Sequence, residues 1–430
     1  MTDSSRRVAV EVVGRCEQGA FADRVLEQAL TRAQYPHWST RATALAYGTL
    51  RLQSRLDRIL SPFLSRPLAE LDAPLRAVLR VGCYELLFAD HVETAQAVHA
   101  LVDLAKDDTR GGHSGVGALT NAVLRKLVAN AEQLRREPTE LSAIERLEGW
   151  WSLPGWLAER WLARWGDEGA LELARAAGTD PHVHLRVNRR QASREQVLLR
   201  LTEAGVRARP SALSPWGVLI SGGQPERLPG FAEGWFTVQD EASLAIAELT
   251  GARPGLRAID LCAAPGSKAT QLAEMGAEVL ACDVQRRRLA RVSESAARLG
   301  LAIETRVADA RELPGQIEPA DIVLLDAPCS GTGTLARRPD LRWRLGDERL
   351  TEVQRLQREL LAAAARLVRP GGVLVYSTCS LEPEENEQQM TWLAQVGGEL
   401  LPDGPADVTL KPVAGQHDGF FMARRRRATT

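Results

Sequence analysis

The sequence predicts a multi-domain protein: an all-α bundle first, a small α+β unit next, and a largely parallel, doubly wound α/β domain of Rossmann-like type last. Three observations predict it. Apolar residues recur every three or four positions from residue 6 to about 130 (Val8, Val12, Val13, Cys16, then Phe21, Val25, Leu26, Leu30), the period of helices with one buried face. Between residues 182 and 235, the short alternating stretches VHLRVN, WGVLISG and WFTVQD accompany one helical pattern, SREQVLLRLTEAG, as in a sheet with one covered face. From about residue 234, strand-like runs (LRAIDL, EVLACDV, IETRVAD, DIVLLDAP, GGVLVYS) alternate with helical ones, the pattern of a parallel sheet buried on both sides. These changes set expected domains at 1–135, 145–233 and 234–430.

Within the first domain, polar and Gly/Pro breaks at 34–39, 61–67, 72–74 and 110–117 separate about five to seven helices. The polar stretch 129–142 reads as a linker or a mobile helix end. In WWSLPGWLAERWLARWG, Pro154 suits an early helical position, and Trp161 and Trp165 fall on one face, which reads as core packing rather than a stacking platform for bases. A ligand-free structural bundle is the bland alternative for this domain.

At 430 residues, with 44% apolar and 25% charged side chains, the chain has ample material for cores of ordinary composition. A net charge of −1 gives no global nucleic-acid signature, so any RNA-binding surface must be local. Basic residues are nearly all arginine, the lysines being Lys106, Lys126, Lys268 and Lys411. The six cysteines (Cys16, Cys83, Cys262, Cys282, Cys329, Cys379) form no CxxC pair and no His/Cys cluster, so neither a metal site nor a disulfide framework is expected. The start MTDSSRRVAVEVV lacks an apolar signal core, and no run of about 18 apolar residues occurs. A reduced cytoplasmic setting without membrane contact is therefore expected, one in which a thiolate can act.

Chemistry concentrates after the C-terminal strands. The first strand leads into Cys262, Ala263, Ala264, Pro265, Gly266, Ser267 and Lys268, then a helix. Small residues let backbone amides approach a ligand, and the helix N-terminus favours the carboxylate of a methionine moiety. Asp260, Asp283 and Asp309 end three consecutive strands. The second is placed to accept from ribose hydroxyls and the third to meet an adenine amino group. With neither a full GxGxxG nor a GxxxxGK[ST] loop present, NAD and ATP lack support, and S-adenosylmethionine is the expected cofactor.

The fourth and fifth strands end in Asp326-Ala327-Pro328-Cys329 and Thr378-Cys379-Ser380. Two thiols at one rim beside a methyl donor suit methylation of a pyrimidine at carbon 5. That carbon becomes nucleophilic only after a thiolate adds to carbon 6, and the adduct must then be resolved by loss of the carbon 5 proton. Asp326 can accept from the cytosine amino group. Spacing alone does not say which cysteine attacks. The stretch from Leu335 to Trp343, LARRPDLRW, reads as a basic loop able to grip phosphates and an extruded base. Arg424 to Arg427 read as a solubilising tail.

DLCAAPGSK, PCSGTGTLARRPDLRW and YSTCSLEPEENE together resemble the RNA 5-methylcytosine methyltransferases. With RRVAVEVVGRCEQGAFADRVLEQAL, RVGCYELLFADHVETAQAVHALVDLAK and GVGALTNAVLRKL, which resemble the NusB-like RNA-binding bundle, the chain is similar nearly end to end to the bacterial RsmB (Sun/Fmu) family. The resemblance implies a NusB-like first domain, an RNA-binding or linking middle domain and a class I methyltransferase domain. It makes Cys379 the nucleophile, gives Cys329 a part in product release, and implies small-subunit ribosomal RNA as substrate for a monomeric enzyme. Ser267 departs from the family loop, which usually has a second glycine there, and is small enough to be accommodated. Two other readings compete: a transfer-RNA methylase of the same catalytic type, and an RNA-binding assembly module with an inactive methyltransferase domain.

Overall fold

The computed structural model describes residues 4–33, 39–90, 92–108, 114–221, 223–397, 399–405 and 407–429. The expected break at 34–39 falls outside these residues except at its last position, and that at 110–117 lies outside them over 110–113 while 114–117 are already helical. The chain forms two compact units, Met1–Asp180 with Leu335–Arg344, and Pro181–Thr334 with Leu345–Thr430. The division at Asp180 falls inside the stretch 145–233 that the sequence assigns to the middle unit.

The first unit contains α1 (Ser4–Glu17), α2 (Ala22–Ala33), α3 (Ser39–Arg51), α4 (Gln53–Leu60), α5 (Ala73–Phe88), α6 (Thr94–Asp108), α7 (Ser114–Ala129), α8 (Ala131–Arg135), α9 (Ala143–Glu145) and α10 (Gly155–Gly178). Helix α5 is buried on every side from Ala77 to Leu87, so it forms the centre of the bundle, as an apolar helix must. Its buried charges are answered: Glu85 accepts from Arg6 Nε at 2.8 Å, and Arg80 Nε donates to Asp57 at 2.6 Å. Helix α3 approaches α5 so closely that a Cβ on Gly48 would meet the Tyr84 ring at 1.9 Å. The stretch 129–142 is no free linker, because Arg135 Nε donates to the Leu87 carbonyl at 2.6 Å. A Ser142/Glu145 capping box then starts α9. Trp161 is 1% exposed and meets Trp165 edge-on at 6.2 Å, the packing role expected.

Within the segment Leu335–Arg344, the reading as a phosphate-gripping loop is corrected at Arg342 and Trp343. Arg342 is 0% exposed and donates to the backbone carbonyls of Arg51 (2.9 Å), Ser152 (3.1 Å) and Ala177 (2.8 Å), while Trp343 Nε1 donates to the Leu50 carbonyl at 3.1 Å. A guanidinium is planar with several fixed donors, so it can close several open carbonyl ends at once. The sequence shows the charge but not the carbonyls awaiting it.

The second unit begins with a four-stranded antiparallel sheet in the order β2-β3-β1-β4, formed by β1 (Val183–Val187), β2 (Ala208–Pro210), β3 (Gly217–Ile220) and β4 (Phe236–Val238). Helix α11 (Arg194–Glu203), opened by a Ser193/Gln196 capping box, supplies Val197 and Leu201 to its core. After α12 (Glu241–Leu249) the chain winds β5 (Arg257–Asp260), α13 (Ser267–Glu274), β6 (Glu278–Asp283), α14 (Arg286–Arg298), β7 (Glu304–Val307), β8 (Ala320–Asp326), α15 (Asp347–Leu367), β9 (Val368–Thr378), α16 (Glu387–Val396), β10 (Leu400–Pro402), β11 (Val408–Leu410) and β12 (Phe420–Arg427).

The large sheet runs β10-β12-β9-β8-β5-β6-β7, with β11 beside β12. Strands β5 to β9 are parallel, and β12 pairs antiparallel with β9. Side chains alternate between two cores, Ile322 and Leu324 on one face and Val323 and Leu325 on the other, which is why β8 reads as an unbroken apolar run. The chain leaves β5 towards β6 on one side and returns to β8 on the other. The crevice between the carboxyl ends of β5 and β8 is therefore the switch point where such sheets bind ligands.

The expected tail from Arg424 to Arg427 is a correction. It forms the second half of β12, an interior strand, with Arg425 on Asp407 at 2.6 Å and Arg427 on Glu399 at 2.8 Å. Long arginine stems can cover a sheet while their heads pair at its margin.

Candidate active site

Both loops of the switch point carry the expected residues. Asp260 is the last residue of β5 and Asp326 the last of β8. Between Asp260 and α13 lie Cys262, Ala263, Ala264, Pro265 and Gly266, with Ser267 and Lys268 as the first helical residues. Gly266 has φ +110°, the left-handed region, and a Cβ there would meet the Val292 Cα at 3.1 Å. Only glycine fits both demands. Ser267 stands in ordinary helical backbone, so the position needs no second glycine. The loop is fixed by the Ala263 N–H on the Cys282 carbonyl (2.9 Å) and by Arg288 Nη2 on the Ala264 carbonyl (3.2 Å). Burial pushes the Cys262 thiol far above its ordinary range.

Asp260 is 1% exposed, and its Oδ1 has no hydrogen-bond partner among the described residues. Burial, with Asp326 nearby, pushes its carboxyl up to about 7. An orphaned buried oxygen beside a helix N-terminus fits the ammonium and carboxylate of an amino-acid moiety, as S-adenosylmethionine has. Asp283 ends β6, is mostly buried, and accepts from the Gln285 N–H at 2.8 Å. Asp309, two residues past β7, is differently engaged. Its carboxylate takes the Arg311 N–H at 3.0 Å and Arg311 Nη2 at 2.6 Å, which holds it below the usual carboxylate range. A purine reaching Asp309 would have to share it with Arg311.

Asp326 is fixed from two sides. Lys268 Nζ donates to its Oδ2 at 2.7 Å and Ser377 Oγ to its Oδ1 at 2.7 Å. Burial alone would lower the Lys268 ammonium, but Asp326 beside it outweighs that and leaves it raised, hence charged. Phe420 packs with its ring centroid 5.6 Å from the same Nζ.

The two thiols meet. Cys329 Sγ and Cys379 Sγ are 3.3 Å apart, each half-buried while their flanking residues Ser330, Thr378 and Ser380 are buried. The hydrogen bond to Cys379 first, and burial second, push the Cys329 thiol well above its ordinary range.

The sequence reading missed the frame behind these sulfurs. Glu385 is 0% exposed and accepts from the Ser330 N–H at 2.8 Å, from Gln357 Nε2 at 3.0 Å, and from the hydroxyls of both Ser330 and Ser380. One carboxyl thus ties the loop after Cys329 to the loop after Cys379. Burial pushes that carboxyl above its ordinary range. Asn386 completes the frame, accepting from Thr378 Oγ1 at 2.6 Å and donating to the Ser380 carbonyl at 2.9 Å. The available signal was the run EPEENE directly after an apolar strand, where an acidic residue has good reason to turn inward.

Among the described residues, no cluster of three metal-ligating side chains occurs, and no helix is long and apolar enough to cross a membrane.

Comparison with known proteins bears on all three segments. Residues 251–425 match the family described as 16S rRNA methyltransferase RsmB/F, residues 3–129 match the NusB family, and residues 153–225 match a ferredoxin-like domain of RsmF/B-like methyltransferases. The ribosomal RNA small subunit methyltransferase B of Klebsiella pneumoniae is 36% identical over 395 residues, 88% of each chain. That of Salmonella heidelberg is 34% identical over the same shares. The crystal structure of PH0851 superposes with a TM-score of 0.80 at 31% identity, over 99% of this chain and 98% of that one.

Proposed function

The chain belongs to the ribosomal RNA small subunit methyltransferase B family, and we propose that it methylates carbon 5 of a specific cytosine in 16S ribosomal RNA through a covalent Cys379–carbon 6 adduct. The observation that carries this reading is the 3.3 Å approach of Cys329 and Cys379 beside the Lys268–Asp326 pair. Amino-group methylation needs no thiol, whereas carbon 5 methylation needs one to attack and gains from a second at resolution.

Cys379 is the nucleophile. The family resemblance makes that assignment, and the contact between the two sulfurs together with burial holds the Cys329 thiol raised beside it. Asp326, oriented by Lys268 and Ser377, accepts from the cytosine amino group and holds the ring against the attacking sulfur. S-adenosylmethionine, when bound, supplies the methyl group that carbon 5 takes up. Its amino-acid end suits Asp260 and the loop of Cys262, Ala263, Ala264, Pro265, Gly266 and Ser267, its ribose suits Asp283, and its adenine suits the side bearing Asp309. Cys329 assists the last step, in which carbon 5 loses its proton, the bond from carbon 6 to Cys379 breaks, and the cytosine regains its aromaticity.

In this reading the NusB-like segment and the middle segment contact RNA, and the methyltransferase acts as a cytoplasmic monomer. Support for the middle segment is a groove of about 420 Å³ in which Arg207 and Arg209 stand among Val206, Ala208, Leu219 and Ile220, two cations that could meet phosphates beside an otherwise largely apolar lining. Bisulfite sequencing of 16S ribosomal RNA from cells lacking the protein tests the reaction. One cytosine losing its protection supports the reading, and an unchanged pattern contradicts it.

A further inference from the structure

Arg186, in the middle of β1, is 0% exposed. A buried guanidinium persists only where its donors are answered. Here Nε donates to Glu274 Oε2 at 3.1 Å and Nη2 to Thr270 Oγ1 at 3.0 Å, while Nη1 donates to the Gln239 side-chain oxygen and to the backbone carbonyl of Ser267. Three of these four acceptors lie on α13, the helix that the cofactor loop opens into. They span it from Ser267 in its first turn to Glu274 at its end.

The contacts continue into the loop. Thr270 Oγ1 donates to the Gly266 carbonyl at 2.7 Å. Glu274 is itself wholly buried and also accepts from Arg189 Nε at 3.1 Å, and Gln239 Nε2 donates to Gln271 Oε1 at 2.8 Å. Pairing with Glu274 alone would dock the helix. The grip on the Ser267 carbonyl and Thr270 fixes something more specific: the rotation of the first turn, on which the direction of Gly266 and the aim of Lys268 at Asp326 depend. A planar, five-donor fork can hold these points together, and a lysine ammonium on a flexible stem cannot.

We propose that Arg186, a residue of the small antiparallel sheet, is a positioning residue for S-adenosylmethionine, locking the Gly266–Ser267–Thr270 turn into its binding conformation from behind. The middle segment thereby forms part of the cofactor site rather than serving RNA alone. This rests on the reading of residues 262 to 268 as the cofactor loop.

The test measures S-adenosylmethionine binding to the full chain by titration calorimetry, RNA affinity by filter binding, and thermal melting, for wild type, R186K, T270V and the double variant. R186K keeps the charge beside Glu274 and gives up the fork. It should weaken cofactor binding about tenfold, the size of one lost charged hydrogen bond, with RNA affinity unchanged. T270V should weaken it less, and the double variant no more than R186K alone, because both cut one chain of contacts. A packing role alone would lower the melting temperature and leave cofactor affinity intact, or make the two losses additive, and either result overturns the proposal. Wild-type protein that takes up no S-adenosylmethionine overturns the cofactor reading and this inference with it. Equal binding by wild type and R186K overturns only this inference.

Discussion

The sulfur of Cys329 stands 3.3 Å from that of Cys379, although 50 positions separate the two residues in the chain. Parallel pairing of β8 with β9, with Asp326 opposite Ser377, sets both loops at the same rim. Two thiols so close share one substrate atom's neighbourhood but not one role. Cys379→Ala should abolish methyl transfer and form no RNA adduct. Cys329→Ala should form the adduct and release it slowly, so a slow-migrating protein–RNA band on denaturing gels accumulates with that variant only.

Glu385 holds the loops that carry those thiols. Glu385→Ala leaves the Ser330 N–H and two hydroxyls without their acceptor, at a cost of about 1–3 kcal/mol for each group left unanswered. The expected outcome is a clear fall in melting temperature and a fall in adduct formation. Because burial already raises this carboxyl towards its neutral form, Glu385→Gln should keep most of the stability. For a raised carboxyl, the stabilising contribution is full below its unfolded pKa and is lost as pH rises through the folded one. The melting temperature of Glu385→Gln should therefore fall less than that of wild type as pH rises above the ordinary carboxylate range.

Asp260 gives the site a pH signature of its own. Its folded pKa of about 7 exceeds the ordinary 3.8, so its contribution to stability is full below about 4 and disappears as pH rises to about 7. A cationic ligand group beside it favours the carboxylate and expels the proton. Cofactor affinity should then rise with pH, by at most about tenfold per unit, and level off above about 7. Calorimetry in buffers of different ionisation heat would register the released proton, and Asp260→Asn should show neither the proton release nor the pH slope.

Arg342 should behave as an anchor of the helical unit and not as a phosphate ligand. Arg342→Ala strips hydrogen bonds from several buried carbonyls, a loss of about 3 kcal/mol at roughly 1 kcal/mol each. Chemical denaturation followed by helical circular dichroism should show it. The slope of RNA affinity against salt, which counts neutralised phosphates, should stay as in wild type.

The contrast between Arg342 and Cys379 shows what was legible in the sequence. Strand ends are visible as the place where an apolar run stops, so Asp260, Asp283, Asp326, Cys329 and Cys379 could be set at one rim from periodicity and loop composition. Long-range acceptors are invisible. Nothing near Arg342 announces the carbonyls of Arg51 and Ala177, nothing near Arg186 announces Ser267, and nothing in the basic run itself announces that Arg424 to Arg427 return as part of β12 against β9. Arginine misled most, because its long stem packs like an apolar residue while its head looks like a surface charge. Asp309 lies two residues past the end of β7 rather than at it, and Arg311, two residues on, already holds its carboxylate.

The most direct test of the central claim uses RNA bearing 5-fluorocytosine, whose fluorine blocks loss of the carbon 5 substituent and so traps the thiol adduct after methyl transfer. Mass spectrometry of the digested complex should find the modified base on the peptide containing Cys379, with the added methyl. Attachment at Cys329, or a methylated base with no attached peptide, would contradict the account.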